Sequence, residues 1–271
     1  MARVTVLGSG TCVPTRRRGP AGFVLEAAGE TLLIDGGSGT LGRMVEAGLD
    51  YRQLAAVLYT HTHPDHTADL APLLFALNYT PDFRRERRLK IIGPPDFGDF
   101  LARLTELHPG IRPKSFELEV IELGDDTADL GHAVVTARRV EHAGVSAVAY
   151  RLSVDGVTIV FSGDTTYCPA IVDIAAGADL LVIEASLPLA EHDPGSHLTA
   201  GLAGRVAAEA GARAVVLTHL YPICDQHDMA ALVAQEFGGR IMVGEDLMTL
   251  DVGPEGVELP ATGRGEAPGP G

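Results

Sequence analysis

Residues 61–66 read HTHPDH, three histidines and an aspartate within six positions. Neutral imidazoles and carboxylates are the donors that borderline divalent cations take. Two histidines at i and i+2, in a loop leaving a strand, can converge on one cation. An aspartate and a histidine that follow at once, at the start of a helix, can aim at a second. His61 and His63 are therefore expected on one metal, and Asp65 and His66 on another. Three more donors stand where strands are expected to end: His142 in VEHAG, Asp164 in VFSGDTTY and His219 in VVLTHL. Asp164 has two oxygens and suits a bridge. The expected set is His61, His63 and His142 on one ion, Asp65, His66 and His219 on the other, with Asp164 shared. Nitrogen and oxygen donors without thiolate suit zinc, with manganese or iron as alternatives. Two such ions about 3.5–4 Å apart hold a water and lower its pKa toward about 7, which makes a nucleophile without a serine or cysteine.

Such a site needs strands that deliver its donors to one edge. Apolar, β-branched runs bounded by glycine turns predict strands over 3–8, 22–27 and 31–37, with a helix over 40–48. The run LAAVLYT predicts a buried strand over 54–60, directly before HTHPDH. A helix is expected to begin near Pro64 to Thr67 and to run on through ADLAPLLFALN. Strand–helix units follow at 89–92 and 96–107. The second half repeats the theme, with strands over 132–139, 146–154 and 157–162, and Asp155-Gly156 turning the last pair into a hairpin. Strands over 179–185 and 213–219 flank a helix over 199–210. A last helix over 228–237 and short strands across 240–252 complete the pattern. Residues 1–260 are read as one domain, and the Gly/Pro-rich stretch 261–271 as a disordered tail.

The bulk properties exclude several classes. Of the 271 residues, 46% are hydrophobic, enough for a sizeable core. No run approaches the roughly 18 apolar residues of a membrane span. The first residues, MARVTVLGSGT, read as a strand entering a turn and lack the apolar core of a secretory signal, so a cytoplasmic protein is expected. Three scattered cysteines, Cys12, Cys168 and Cys224, argue against a disulfide framework. A net charge of −15 opposes bulk nucleic-acid binding unless basic residues gather locally, as they do at 16–18 and 84–90. GSGT after the first strand has Val13 where a dinucleotide fingerprint needs its third glycine, and GGSGT lacks the Lys-Ser/Thr of a phosphate loop. EASLP is not the elbow of a serine hydrolase.

HTHPDH, EH, GDT and THL, in this order, resemble the metallo-β-lactamase superfamily, whose signature is HxHxDH. The similarity runs from GSGT to about residue 250. It implies an αβ/βα four-layer sandwich with two facing mixed β-sheets, a site at one edge, and the seven ligands paired as above. LLIDGG resembles a further element of the family, whose Asp35 would orient a ligand. Within the superfamily the chain looks most like the ribonuclease Z and phosphodiesterase branch. GSGTCVPTRRR resembles its Pro-Thr-Lys-x-Arg loop through Pro14, Thr15, Arg16 and Arg18, with Arg for Lys. LKIIGPP at 89–95 and SHLTA at 196–200 resemble two further elements, the latter with Leu for Ser.

The resemblance implies two divalent ions and hydrolysis of a phosphodiester, either small or RNA-like. It makes His197 the proton donor to the leaving oxygen or a contact to the scissile phosphate, Asp65 a participant in catalysis, and Arg16 and Arg18 contacts to an anionic substrate. Glu184, at a strand end before this segment, is expected either to orient His197 or to be a plain strand-end carboxylate. For His197 the alternative is a helix N-terminal residue in a capping context. A homodimer is expected by analogy with relatives. Ribonuclease Z carries a tRNA-gripping arm between the third site histidine and the bridging aspartate. Here Asp164 follows His142 by 22 positions, which two strands and a hairpin turn fill, so no arm fits there. The same ligand set could also open lactones, thioesters or β-lactams, or serve a non-hydrolytic metal-binding member.

Overall fold

In a computed structural model, which describes residues 1–190 and 195–259, fifteen strands make two sheets. The first sheet holds β1 (Ala2–Gly8), β2 (Gly22–Ala27), β3 (Glu30–Gly36), β4 (Leu54–Leu58), β5 (Leu89–Gly93) and β6 (Leu118–Glu122). The second holds β7 (Thr127–Asp129), β8 (Val134–Arg139), β9 (Val148–Val154), β10 (Val157–Phe161), β11 (Leu180–Glu184), β12 (Ala214–Thr218) and β13 (Arg240–Val243). The last two strands, β14 (Thr249–Gly253) and β15 (Gly256–Glu258), return to the first sheet and pair beside β1, giving the order β15-β14-β1-β2-β3-β4-β5-β6. The second sheet runs β13-β12-β11-β10-β9-β8-β7.

Period-2 alternation sorts the side chains into layers. Leu32 and Ile34 of β3, Ile159 and Phe161 of β10, and Ala214 and Val216 of β12 belong to one shared core between the sheets. Their neighbours point outward. Leu33 and Val57 pack beneath α1 (Thr40–Glu46), α3 (Leu70–Tyr79) and α4 (Phe97–Leu107). Leu181, Ile183, Val215 and Leu217 pack beneath α5 (Pro169–Ala175), α6 (Ala200–Glu209) and α7 (Met229–Val233). Strands buried on both faces read as continuous apolar runs, which is why LAAVL, LLVIE and AVVLT were legible. The result is the expected four-layer αβ/βα sandwich.

Strands β3 to β6 are mutually parallel, and so are β10 to β13. Their carboxyl ends meet at one edge, where Val148 N donates to Thr60 O and Tyr150 Oη to Tyr59 O across the sheets.

Two expectations change. The helix expected to run on from Pro64 is split into α2 (Pro64–Thr67) and α3. Asp69 breaks it: its backbone N–H goes to Gly36 O, and its carboxylate accepts from the N–H groups of Gly39 and Leu41. Strands β6, β7 and β15 and helix α5 were not anticipated. The three strands each end a sheet, and β6 and β7 are at best half buried, so their apolar signal is weak. The tail at 261–271 lies outside the described residues. No helix among them is long and apolar enough to cross a membrane.

Candidate metal centre

Each donor sits just beyond a strand. His61 follows β4 by a short loop, His63 precedes α2, and Asp65 and His66 lie in its single turn. His142 leaves β8, Asp164 leaves β10 and His219 leaves β12. Asp35, at the end of β3, and His219 both take left-handed backbone, with φ of 54° at each. That conformation is unfavourable for a residue with a side chain and clusters at functional sites. Two glycines make the approach possible. A side chain on Gly163, which also has positive φ, would run into Thr60, and one on Gly37 would run into the Asp65 carbonyl.

Ligand atoms of His61, His63, His142 and Asp164 lie within 4.8 Å of one another, as do those of Asp65, His66 and His219. Asp164 stands between the groups. Its Oδ1 is 3.3 Å from His66 Nε2, and its Oδ2 is 3.3, 3.6 and 3.8 Å from the Nε2 atoms of His219, His142 and His61. His61, His66, His142, Asp164 and His219 are buried, while His63 and Asp65 are half-buried and form the open side.

Hydrogen bonds behind the ring fix which nitrogen faces inward. A carboxylate only accepts, so the Thr60 hydroxyl, 2.9 Å from Asp35, gives its proton there. Thr60 Oγ1 must then accept from His61 Nδ1 at 3.1 Å. His66 Nδ1 donates to Asp35 at 2.9 Å, and His142 Nδ1 to the Ser196 carbonyl at 3.0 Å. Ser186 Oγ gives its proton to Glu184 at 2.5 Å and so accepts from His219 Nδ1 at 2.9 Å. In its neutral form, each of the four histidines has its Nε2 lone pair turned inward. The Nε2 atoms of His61 and His142 meet His63 Nδ1 at 3.0 and 3.1 Å. One proton at most can lie among three such nitrogens, whereas a cation satisfies all of them. His66 Nε2, His219 Nε2 and Asp164 Oδ1 are buried and make no well-formed hydrogen bond among the described residues. Buried polar atoms are rarely left so. The donor set therefore fits divalent cations in both chemistry and orientation.

Burial disfavours charge throughout the cluster. It holds His61 well below, and His142 below, the ordinary histidine range. At His66 burial is outweighed by Asp164 and Asp35, which hold its pKa well above that range. At Asp164 burial is outweighed by His219 and His66, which hold the carboxyl well below its usual value.

His197 stands at the same edge, within 4.8 Å of Asp164 and His219 counted between ligand atoms. Its Nδ1 donates to Glu184 at 3.1 Å. The capping of α6 is done by Thr199, whose Oγ1 accepts from Leu202 N, so the imidazole is free for another task. Glu184 is fully buried and also accepts from the N–H groups of Thr165 and Leu198. Ser186, Thr60 and the Ser196 carbonyl had no signal in sequence. Each is an ordinary polar group until the fold puts an imidazole against it.

The arginines fare differently. Arg18, expected on substrate, is 3% exposed. Its guanidinium is bound to Ser9 Oγ, the Gly244 carbonyl and Asp225, which pins the loop after β1 to the segments after β12 and β13. Arg16 is exposed. In the second basic stretch, Arg85 is buried on the carbonyls of Arg52, Leu54 and Arg88, and Arg87 and Arg88 pair with Glu30, Glu117 and Glu119.

Comparison with known proteins agrees with this geometry. A profile of the beta-lactamase superfamily domain matches residues 14–220. A protein named Ribonuclease Z from Mycobacterium marinum is 32% identical over 277 aligned positions, covering 93% of this chain and 99% of its own. Another of that name from Mycolicibacterium gilvum is 31% identical over 290 positions, with 96% and 100% covered. Among solved structures, the metallo-beta-lactamase fold protein YhfI from Bacillus subtilis superposes with a TM-score of 0.80 at 25% identity, over 93% of this chain and 100% of that one. Human tRNase Z, short form, superposes with a TM-score of 0.75 at 25% identity, over 93% and 99%.

Proposed function

The chain belongs to the beta-lactamase superfamily, and we propose that within it the protein is a binuclear metal-dependent phosphodiesterase, acting on an RNA-like or smaller anionic phosphodiester. The observation that carries this reading is an imidazole, His197, held by a buried carboxylate beside two donor groups with Asp164 between them. His61, His63 and His142 would hold one cation and Asp65, His66 and His219 the other, with Asp164 touching both. The nitrogen and oxygen donors favour zinc. When bound, such a pair supplies Lewis-acid polarisation of the phosphoryl group and lowers the pKa of a captured water.

The protein's own residues do the rest. Asp35, through Thr60 and directly, keeps His61 and His66 turned inward. Glu184 holds the His197 Nδ1–H, which leaves Nε2 to give a proton to the departing oxygen. Burial disfavours the His197 imidazolium, yet the Glu184 hydrogen bond and charge outweigh it and hold its pKa above the ordinary histidine value. An alkoxide leaving from phosphorus needs such a donor. Arg16, exposed in the loop after β1, is available to an anionic substrate, whereas Arg18 supports that loop from beneath. The shared core of the two sheets supports reading residues 1–260 as one domain. Three free cysteines fit a reducing, cytoplasmic setting. The expected homodimer rests on resemblance alone and is checked by light scattering.

The test is a panel on one metal-loaded preparation: bis-p-nitrophenyl phosphate, a short RNA, a thioester, a lactone and a chromogenic cephalosporin, with metal counted per chain. Hydrolysis of the phosphodiesters with two ions per chain is expected. Turnover confined to the acyl substrates would overturn the reading.

A further inference from the structure

Glu184 touches more than the imidazole proposed as proton donor. Its Oε2 accepts from Ser186 Oγ at 2.5 Å, and the same hydroxyl lies 2.9 Å from His219 Nδ1. Ser186 is wholly buried, as is Glu184, so no solvent competes for these bonds. A serine hydroxyl has one proton and a carboxylate has none to give. The proton therefore lies toward Glu184, and Ser186 Oγ is an acceptor on the side facing His219. Of the two neutral tautomers of His219, that geometry admits only the one with hydrogen on Nδ1. Its Nε2 then carries a lone pair, and that atom is buried and makes no well-formed hydrogen bond among the described residues, 3.3 Å from Asp164 and 3.5 Å from Asp65. His219 also sits on left-handed backbone, so its ring direction is not set by a relaxed main chain.

We propose that Ser186 is the positioning residue of His219, and that through it the single carboxylate of Glu184 orients both the imidazole that completes the second cation site and the imidazole that faces the leaving group. The proposal deepens the metal-dependent reading above and rests on it for the identity of that second site. Groups placed behind a metal-binding histidine usually change metal affinity by about 10–100-fold when removed. Here the effect falls on one of two ions, because the donors of the other group lean on Asp35 and on the Ser196 carbonyl.

The experiment compares wild type, Ser186→Ala and Ser186→Thr. Zinc bound per chain and its release to a chromophoric chelator are measured, and 15N NMR of the histidine side chains reports the His219 tautomer in metal-free protein. The expected result is one ion held as in wild type and one weakened about 10–100-fold in Ser186→Ala, with recovery in Ser186→Thr, which restores a hydroxyl. Metal-free wild type is expected to show hydrogen on His219 Nδ1. Wild-type affinity for both ions in Ser186→Ala would overturn the proposal. Equal loss in Ser186→Thr would overturn it too, since the hydroxyl would then not be the cause. If Ser186→Ala does not fold, the wild-type spectrum decides, because hydrogen on His219 Nε2 contradicts the relay. A wild type that binds two ions and cleaves no phosphodiester would defeat the proposed function and leave this inference standing.

Discussion

The two sides of the site use one device for different ends. On the first sheet, the buried carboxylate of Asp35 holds His66 directly and His61 through the Thr60 hydroxyl. On the second, the buried carboxylate of Glu184 holds His197 directly and His219 through the Ser186 hydroxyl. Both imidazoles served by Asp35 belong to the donor groups. Of the two served by Glu184, His219 belongs to the Asp65–His66 group, while His197, 9% exposed, lies within 4.8 Å of Asp164 and His219 between ligand atoms but outside the two donor groups. Under the proposed function, this difference would make an asymmetric reaction centre from a nearly symmetric pair of sheets. One side would be given wholly to holding charge, and the other would divide its anchor between holding charge and moving a proton.

The comparison can be broken at its shared point first. We predict that Asp164→Ala abolishes turnover, with a loss on the order of 10³-fold or more, since several kcal/mol of cation-dependent stabilisation corresponds to about that factor at 1.36 kcal/mol per decade. Near-normal rates in this variant, assayed after metal loading, would refute the shared bridge. His197→Ala sharpens the contrast. It is expected to slow an RNA or alkyl phosphodiester by about 10²–10⁴-fold, to slow the p-nitrophenyl ester far less, and to keep both metals. Equal slowing of both substrates removes the acid role.

The anchors themselves separate next. Asp35→Asn is predicted to weaken both ions by about 10–100-fold, because its partners lie in both donor groups. Glu184→Gln is predicted to weaken one ion and to reproduce the leaving-group effect of His197→Ala. Chelator competition and the paired substrates read both, and identical phenotypes for the two variants would erase the distinction. The smallest functional effect is expected at Arg18. Its replacement by Ala leaves Ser9, Gly244 and Asp225 without their buried donor and is predicted to cost about 1–3 kcal/mol of stability, seen as a lower Tm. Its kcat/KM should stay close to wild type, whereas Arg16→Ala is expected to raise KM for an anionic substrate without lowering Tm.

Much of this was legible without coordinates. Four of the candidate donors closely follow strand ends and three lie at or in the short helix beyond β4, and strands buried on both faces announce themselves as apolar runs with polar residues just beyond them. HTHPDH carries four donors in one local stretch, so its division into two pairs follows from the geometry of a loop entering a helix. Asp69 was not legible as a helix breaker, since its competing partners, Gly39 and Leu41, are about 30 positions away. Nor was the fate of the arginines. A run of like charge looks the same whether it faces solvent or, like Arg85, is buried on three backbone carbonyls.

Residue types and their order along the chain thus determined which atoms could bind a cation and which strand ends would present them. Only the tertiary arrangement of strand ends and loops at the edge of each sheet decided which nitrogen of each imidazole faces inward. That choice is made by a hydrogen bond from behind. Its partner is the adjacent Thr60 for His61, itself held by the distant Asp35, but for His142 and His219 it is Ser196 at 54 positions and Ser186 at 33, neighbours in space and not in sequence. A hydroxyl or carbonyl has no distinguishing pattern in a chain, and it acquires its role when the fold sets it about 3 Å from a ring.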